Sequence, residues 1–513
     1  MSAGRPRRIL FATSNGTGLG HLNRSMAIAR RLPEEHESRF FTLSQAAPAV
    51  AAAGHRVEYF PSYRRPGSGS DQQWNMRLRR RLEQLLSEAE PDLVVFDGVH
   101  PYRALTHVLT RADAPRSIWS RRAMWRAESA TAALARTGAF DAVLEPGELA
   151  ESVDRGATVE RRDEAVRVAP VIYLDREELT SRDKAAAELG LDPSRATALV
   201  SLGQGPELDQ AVAAALGSLS ADPDLQLVAL QSSISDALEV PEGTIRLQGR
   251  FPISRLYRAF DLVVAAAGYN AFHELIHFGV PTLFVPMHRQ TDDQAARASW
   301  ASEQGVALAA KGPLDPEIPG LAAQLLEPST RERITAAALA ASPGNGAGAA
   351  AALVAAMAGG ESPAPAVRRP GAFHRWYRHS SHPLGPSLPF AAALTARDLS
   401  AHPERRSPKA VLLALGLTGD ELRAAVLAGL GELDAIVPER VLVITDSWEL
   451  ATLRGLGVGF ERIPGLGEGG NTDAARLQAS RVTEIMRGRR PREVRSIGPD
   501  GAQLLPLING ERS

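Results

Sequence analysis

Short apolar runs alternate with longer amphipathic stretches through the first half of the chain. Arg8–Thr13 predicts a strand, and a glycine-rich turn leads from it into a helix over His21–Leu32. Arg39–Leu43 predicts a second strand, Ala46–Ala53 a short helix, and His55–Phe60 a third strand. Arg64–Asp71 reads as a Gly/Ser/Pro loop. The arginine-rich stretch Gln72–Ala89 places its apolar residues at helical spacing. The Leu-Val-Val-Phe run inside Asp92–Phe96 lies between polar flanks and predicts a buried strand, and Arg116–Trp119 and Asp141–Leu144 predict two more. Strands alternating with helices imply a parallel, doubly wound sheet.

A link without clear periodicity runs from about Val168 to Pro193. A second α/β unit then begins at Ala198–Leu202, whose strand runs into a Gly-Gln-Gly loop. Leu225–Leu230, Thr244–Leu247, Leu262–Ala265 and Thr282–Val285 predict its further strands. A helix over Ser329–Ala341 and the Ala-rich segment Ala347–Met357 are expected to close it. Residues 359–372 are rich in Gly, Pro, Ala and Arg and read as a linker. Beyond it, Lys409–Leu415, Arg440–Asp446 and Gly459–Ile463 predict strands, with helices over Asp420–Leu430 and Trp448–Leu456. The expected organisation is therefore a unit over 1–168, a second over 169–358, the linker, and an additional α/β unit over 373–513. The last carries no motif tied to chemistry.

At 513 residues the chain is long enough for more than one domain. Its 44% hydrophobic and 23% charged content is that of a soluble globular protein. A formal net charge of −1 gives no electrostatic case for bulk nucleic-acid binding. Cysteine is absent, which excludes disulfides, thiolate catalysis and thiolate metal sites, and is compatible with a reducing cytosol. The N-terminus has no long apolar core of the signal-peptide kind. No run reaches the roughly 18–20 apolar residues of a spanning helix.

The chemistry concentrates in Ala267–Gln294. Gly268 opens a helix, whose first N–H groups lack intrahelical partners and can meet an anionic phosphate. Asn270 can cap that helix or touch the phosphate. Glu274, further along it, can accept hydrogen bonds from a ribose. After the turn Gly279-Val280-Pro281, the strand Thr282–Pro286 delivers Asp292, Asp293 and Gln294 to the carboxyl edge of a parallel sheet, where open α/β folds bind ligands. These parts describe a nucleotide-sugar pocket. Asp292-Asp293 also suggests a metal, but no His cluster of ligand spacing accompanies it.

The first loop, Ser14–His21, carries Gly16, Gly18 and Gly20, which permit close backbone approach to a substrate. Such a loop could instead hold a dinucleotide, yet no acidic residue closes the second strand. His21 follows the last glycine. A neutral imidazole there can take a proton from an attacking hydroxyl, and Asp97, ending the fourth strand, can orient it. The competing readings are a helix-terminal His21, a turn-forming Asp97 before Gly98, and His100 as the cleft residue.

The stretch Ala267–Gln294 resembles the donor-binding signature of GT-B glycosyltransferases, especially the MurG-type N-acetylglucosaminyltransferases and their UDP-glycosyltransferase relatives. The resemblance covers roughly residues 7–355. It implies an α/β fold of two Rossmann-like domains facing across a cleft, here with a small C-terminal α/β extension. The acceptor domain comes first and the donor domain second. It also implies that Glu274 binds ribose, that Asp293 and Gln294 grip the donor hexose with Gln290 on the approach, and that His21 faces the acceptor beside Gly18 and Gly20. The loop Gly203-Gln204-Gly205 resembles the family's Gly-Ser-Gln-Gly phosphate loop, and Phe251 lies where the family holds the base.

The expected activity is transfer of a hexose from a nucleotide-sugar, UDP-linked by resemblance, to a hydroxyl of a small-molecule, lipid-linked or saccharide acceptor. No metal and no resident cofactor are implied, since the nucleotide-sugar is a co-substrate. Cytoplasmic placement is expected, with peripheral contact at the inner membrane face. The basic, aromatic stretch Trp119–Arg126 could contact the acceptor or an anionic lipid, against the alternative of a solvated helix with stacked tryptophans, and His374–His379 could rest on a membrane surface, against the alternative of an interdomain contact. A UDP-sugar 2-epimerase or hydrolase, or a non-catalytic nucleotide-sugar-binding subunit, would use the same scaffold.

Overall fold

The structure, a computed structural model, describes residues 5–14, 19–63, 65–129, 131–203, 206–231, 240–248, 250–362, 402–433, 435–466, 474–487 and 489–506. Gly18, Gln204, Gly205, most of the 359–372 linker and His374–His379 lie outside them.

Three parallel sheets organise the chain. The first contains β1 (Arg8–Thr13), β2 (Glu37–Thr42), β3 (Arg56–Tyr59), β4 (Leu93–Asp97), β5 (Arg116–Ser120), β6 (Ala142–Pro146) and β7 (Ala165–Val168), in the order β3-β2-β1-β4-β5-β6-β7. The second contains β8 (Thr197–Ser201), β9 (Gln226–Gln231), β10 (Ile245–Gln248), β11 (Leu262–Ala265), β12 (Thr282–Phe284) and β13 (Leu308–Ala309), in the order β10-β9-β8-β11-β12-β13. Each sheet runs outward from its first strand in both directions, which puts a crevice at the carboxyl ends beside that strand. Both units are Rossmann-like.

The third sheet holds β14 (Ala410–Ala414), β15 (Val441–Thr445), β16 (Gly459–Arg462) and β17 (Glu493–Ser496), ordered β16-β15-β14-β17. Its Leu412 and Val443 share one buried cluster with Ile9 and Phe11 of β1. This unit is thus fused to the first. Ion pairs reinforce the contact: Arg481 donates to Glu58 and Glu88 at 2.7 Å each, and Arg77 to Glu461 at 3.3 Å. The arginines of the helix Asp71–Ala89 are in part docking residues.

Three short strands, β7, β13 and β17, are absent from the sequence expectation. Each is an edge strand of two to four residues, and Ala-Val-Arg-Val, Leu-Ala and Glu-Val-Arg-Ser are too short or too mixed to form the apolar run that marks a central strand. The helix expected over Trp448–Leu456 is a single 3-10 turn, Leu450–Leu453. The Ala-rich helix Ala347–Ala358 does not close the second unit. Its Ala347, Ala351, Val354 and Met357 belong to the core of the first, against the helix Gly20–Ala29, because small side chains let two helices approach closely. Among the described residues no helix is long and apolar enough to cross a membrane.

Trp119 and Trp125 are buried, at 0% and 2% exposure, and Arg121 pairs with Glu164 in the interior. That stretch is neither a solvated helix nor a membrane-facing patch. It runs beside the second unit: Trp125 bridges to Asp292, and Arg126 N–H donates to the Thr291 carbonyl at 2.7 Å.

Candidate active site

A cavity of about 930 Å³ opens between the first two sheets and takes its walls from both. On the first side, parallel pairing sets Thr13 of β1 opposite Asp97 of β4, so the loop after β1 and the end of β4 reach the same edge. The helix Gly20–Ala29 starts there and carries His21 in its first turn. His21 Nδ1 lies 2.6 Å from Asp97 Oδ1. Asp97 is buried and also accepts from Arg24 Nε at 3.0 Å and from Ser120 Oγ at 2.9 Å.

The electrostatics of this cluster are decided by Arg24. Burial alone would raise the Asp97 carboxyl, but the Arg24 guanidinium and the His21 bond hold it well below the usual carboxylate range. Burial pushes the His21 imidazole down, against the pull of Asp97. His21 is therefore neutral at pH 7. Its Nδ1 faces a carboxylate and carries the proton, which leaves the lone pair on Nε2. Arg24 Nη2, 3.0 Å from Nδ1, is a donor facing a donor and adds no bond to that tautomer.

On the second side, Gly268 is the N-cap of the helix Tyr269–His277 and lines the cavity. Asn270 neither caps the helix nor stands free: it donates to the Gly20 carbonyl at 3.1 Å and accepts from Arg24 Nη1 at 3.3 Å, tying the two units together. Arg24 and Arg122 stack over the Tyr269 ring, at 5.1 and 5.8 Å from its centroid. Two cations thus flank the free N–H groups of one helix start, an arrangement that can take a diphosphate. Gly203, two residues past the end of β8, lines the same cavity at φ +89°, a conformation that favours glycine.

Glu274 is buried, and its Oε1 accepts from Asn23 Nδ2 at 3.0 Å. Burial pushes its carboxyl up to about 7. Phe251 lines the cavity and packs on Tyr173, ring centroids 5.1 Å apart. Gln294 is buried with its side chain held by the Met287 N–H at 3.0 Å and by Asp292 at 3.3 Å.

Three sequence candidates stand away from the cavity. Asp293 caps its own helix, accepting from Ala296 N–H at 3.1 Å, and its neighbour Asp292 lines the cavity instead. Gln290 and His100 are exposed and do not line it. Asp292 is clasped by Arg122 at 3.0 Å and Arg297 at 3.2 Å, which hold it far below the usual carboxylate range against its burial. Among the described residues no cluster of three or more acidic or histidine side chains is placed to hold a metal.

Residues 250–317 match the Glycosyltransferase family 28 C-terminal domain. The chain is also similar to two UDP-N-acetylglucosamine--N-acetylmuramyl-(pentapeptide) pyrophosphoryl-undecaprenol N-acetylglucosamine transferases. One, of Corynebacterium diphtheriae, is 29% identical over 131 residues, which is 25% of this chain and 36% of that one. The other, of Nocardioides sp., is 34% identical over 155 residues, 28% of this chain and 41% of that one. The family match places a glycosyltransferase family 28 C-terminal domain within the second unit.

The matched stretches span less than half the length of either relative. Among solved structures, the glycosyltransferase SnogD from Streptomyces nogalater aligns at 19% identity with a TM-score of 0.48, covering 69% of this chain and 99% of that one. The spinosyn forosaminyltransferase SpnP aligns at 16% with a TM-score of 0.48 and the same coverage.

The cavity is lined by residues that sequence reasoning passed over. Asn23 and Arg24 follow His21 on one helix, and only the spacing of Arg24, one turn after His21, hinted at a shared face. The third unit supplies Trp448, Glu449, Ala451 and Arg454 to the cavity wall, and Arg454 Nε donates to Gln45 at 2.7 Å. No motif in that unit signals this contribution.

Proposed function

We propose that the protein transfers a hexose from a UDP-sugar to an acceptor hydroxyl, with His21 as general base. The observation that carries this is one cavity that holds the His21–Asp97 pair on one wall and the Gly268–Glu274 helix on the other. In this reading Nε2 of His21 takes the hydroxyl proton and Asp97 stabilises the resulting imidazolium. Arg24, Arg122 and the helix N–H groups meet the departing diphosphate. Gly203 approaches the same phosphates. Glu274 takes the ribose, Phe251 the base, and Gln294 with Asp292 the sugar.

The relatives' names give UDP-N-acetylglucosamine as donor and a lipid-linked pyrophosphoryl saccharide as acceptor, so that pair is the first to assay here. Such an acceptor would bring the protein to the cytoplasmic face of a membrane. An epimerase or hydrolase would need a free carboxylate at the sugar, and Asp292 is engaged by two arginines.

UDP or a UDP-sugar is expected to raise the melting temperature, because a ligand bound only to the folded state stabilises it by mass action. No shift from UDP-, TDP- or GDP-sugars at millimolar concentration would end the donor-site reading. Glu274→Ala is expected to weaken UDP binding by on the order of 1.5–3 kcal/mol, the scale of a charged hydrogen bond; calorimetric titration measures it. Activity is expected to survive EDTA, since Arg122 and Arg297 already neutralise Asp292 where a cation would sit. Metal-reversible loss of all turnover would contradict this.

A further inference from the structure

The bond between Asn23 and Glu274 crosses from one half of the protein to the other at the place assigned to the ribose. Both side chains are buried, Asn23 at 8% exposure and Glu274 at 6%. Asn23 Nδ2 donates to Glu274 Oε1 at 3.0 Å. The amide orientation follows from chemistry, because the reverse would set two acceptors against each other. It leaves Asn23 Oδ1 buried without a hydrogen-bond partner. A buried acceptor of this kind is costly unless a donor reaches it, and both residues line the cavity. Among the described residues no cation pairs with Glu274.

We propose that Asn23 binds the donor ribose together with Glu274, forming a clamp with one acceptor from each half of the protein for the two vicinal hydroxyls of a nucleoside diphosphate. This rests on the donor-site reading above. A cis-diol offers two O–H donors. Asn23 Oδ1 takes one, and the second carboxylate oxygen of Glu274 takes the other. Nδ2 meanwhile fixes Oε1, so the carboxylate is oriented before the nucleotide arrives. A donor site built on one domain alone would bind nucleotide whether or not the other domain were near. Here the ribose is read by both, across a contact the two halves already make.

Asn23 also acts on the charge of Glu274. Burial raises that carboxyl, and the Asn23 bond opposes the rise. The titratable group facing it from the neighbouring turn is Tyr257, whose phenol is itself raised by burial and by the Glu274 charge. An ionised carboxylate accepts ribose hydroxyls better than a protonated one, so nucleotide affinity is present above the Glu274 pKa and is lost as pH falls through it. Without Asn23 that loss begins at a higher pH.

The test is calorimetric titration of the full chain with UDP and 2′-deoxy-UDP across a pH series. Wild type, Asn23→Ala, Asn23→Ser, Glu274→Ala and the double variant Asn23→Ala/Glu274→Ala are compared. Wild type is expected to prefer UDP. Asn23→Ala is expected to bind UDP about tenfold more weakly, to lose most of the preference over the deoxy analogue, and to lose affinity from a higher pH. Titration of the nucleotide's own phosphate is common to all variants and cancels. Asn23→Ser, which keeps a small hydroxyl, is expected to fall between and serves if the alanine variant folds poorly. In the Glu274→Ala background, removing Asn23 should add little. Equal losses for UDP and 2′-deoxy-UDP with an unmoved pH profile would make Asn23 merely structural and overturn the clamp. So would an Asn23→Ala protein indistinguishable from wild type. A wild-type protein that binds neither nucleotide would instead overturn the donor-site reading itself.

Discussion

His21→Ala is expected to lower sugar transfer by about 100- to 10,000-fold, the usual cost of losing a general base, with UDP affinity nearly unchanged. The two effects separate because His21 acts on the acceptor hydroxyl and is not among the groups assigned to the donor. His21 stands on the helix after β1, whereas Gly268, Glu274 and Gln294 belong to the second unit. The fold should survive, since Asp97 keeps Arg24 and Ser120 as partners. Burial lowers the His21 imidazole, so its base form persists below the ordinary histidine range. At saturating donor, wild-type turnover should accordingly hold at mildly acidic pH and fall only as the pH drops further. Single-turnover kinetics with donor binding measured in parallel gives the result. Near wild-type transfer by His21→Ala would remove the residue from the mechanism and leave the donor half of the site.

Asp97→Ala is expected to destabilise the fold by about 3–5 kcal/mol, because it leaves a buried guanidinium without its counter-charge. Arg24 is only 2% exposed and spends two of its donors on Asp97. The loss should be largely structural, unlike that of His21→Ala. Asp97→Asn keeps the volume and one acceptor and should be less destabilised, yet it cannot balance an imidazolium, so turnover should still drop. The double variant Arg24→Ala/Asp97→Ala should be less destabilised than the sum of the two singles, since neither charge is then stranded. The sign with pH is definite. The folded carboxyl is held below its unfolded value, so its contribution is present above the unfolded pKa and is lost as pH falls through the folded one. Asp97→Asn should flatten the acid side of the stability profile. Denaturant titrations at several pH values test both points, and an Asp97→Ala protein within about 1 kcal/mol of wild type would refute the buried-pair account.

The central strands of both Rossmann-like units were legible because a strand covered on both faces is apolar at nearly every position, as in β1 and β4. Edge strands β7, β13 and β17 were not, since two to four residues with charges among them carry no such run. The helix start and sheet edge of Ala267–Gln294 were legible for a local reason. Gly268, Glu274, the Gly-Val-Pro turn and Gln294 lie within one continuous stretch, so sequence spacing translates directly into positions on a helix and a sheet edge.

Asp293 shows where that translation stops. Two adjacent aspartates look alike in sequence, and which one lines the cavity depends on the start of the next helix. Asp293 caps that helix, and Asp292 is left between Arg122 and Arg297. Sequence alone determined the two-unit α/β architecture, the loop-bearing ends of the strands and the helix, turn and strand within Ala267–Gln294, because each depends on periodicity or on residues close along the chain. Only the tertiary structure decided that Arg24 balances Asp97, that Asn23 holds Glu274, that the Ala-rich helix packs on the first unit, and that the third unit walls the cavity. Those pairings join residues tens to hundreds of positions apart. They exist only once packing has brought two surfaces together and burial has made an unpaired charge or hydrogen-bonding group costly.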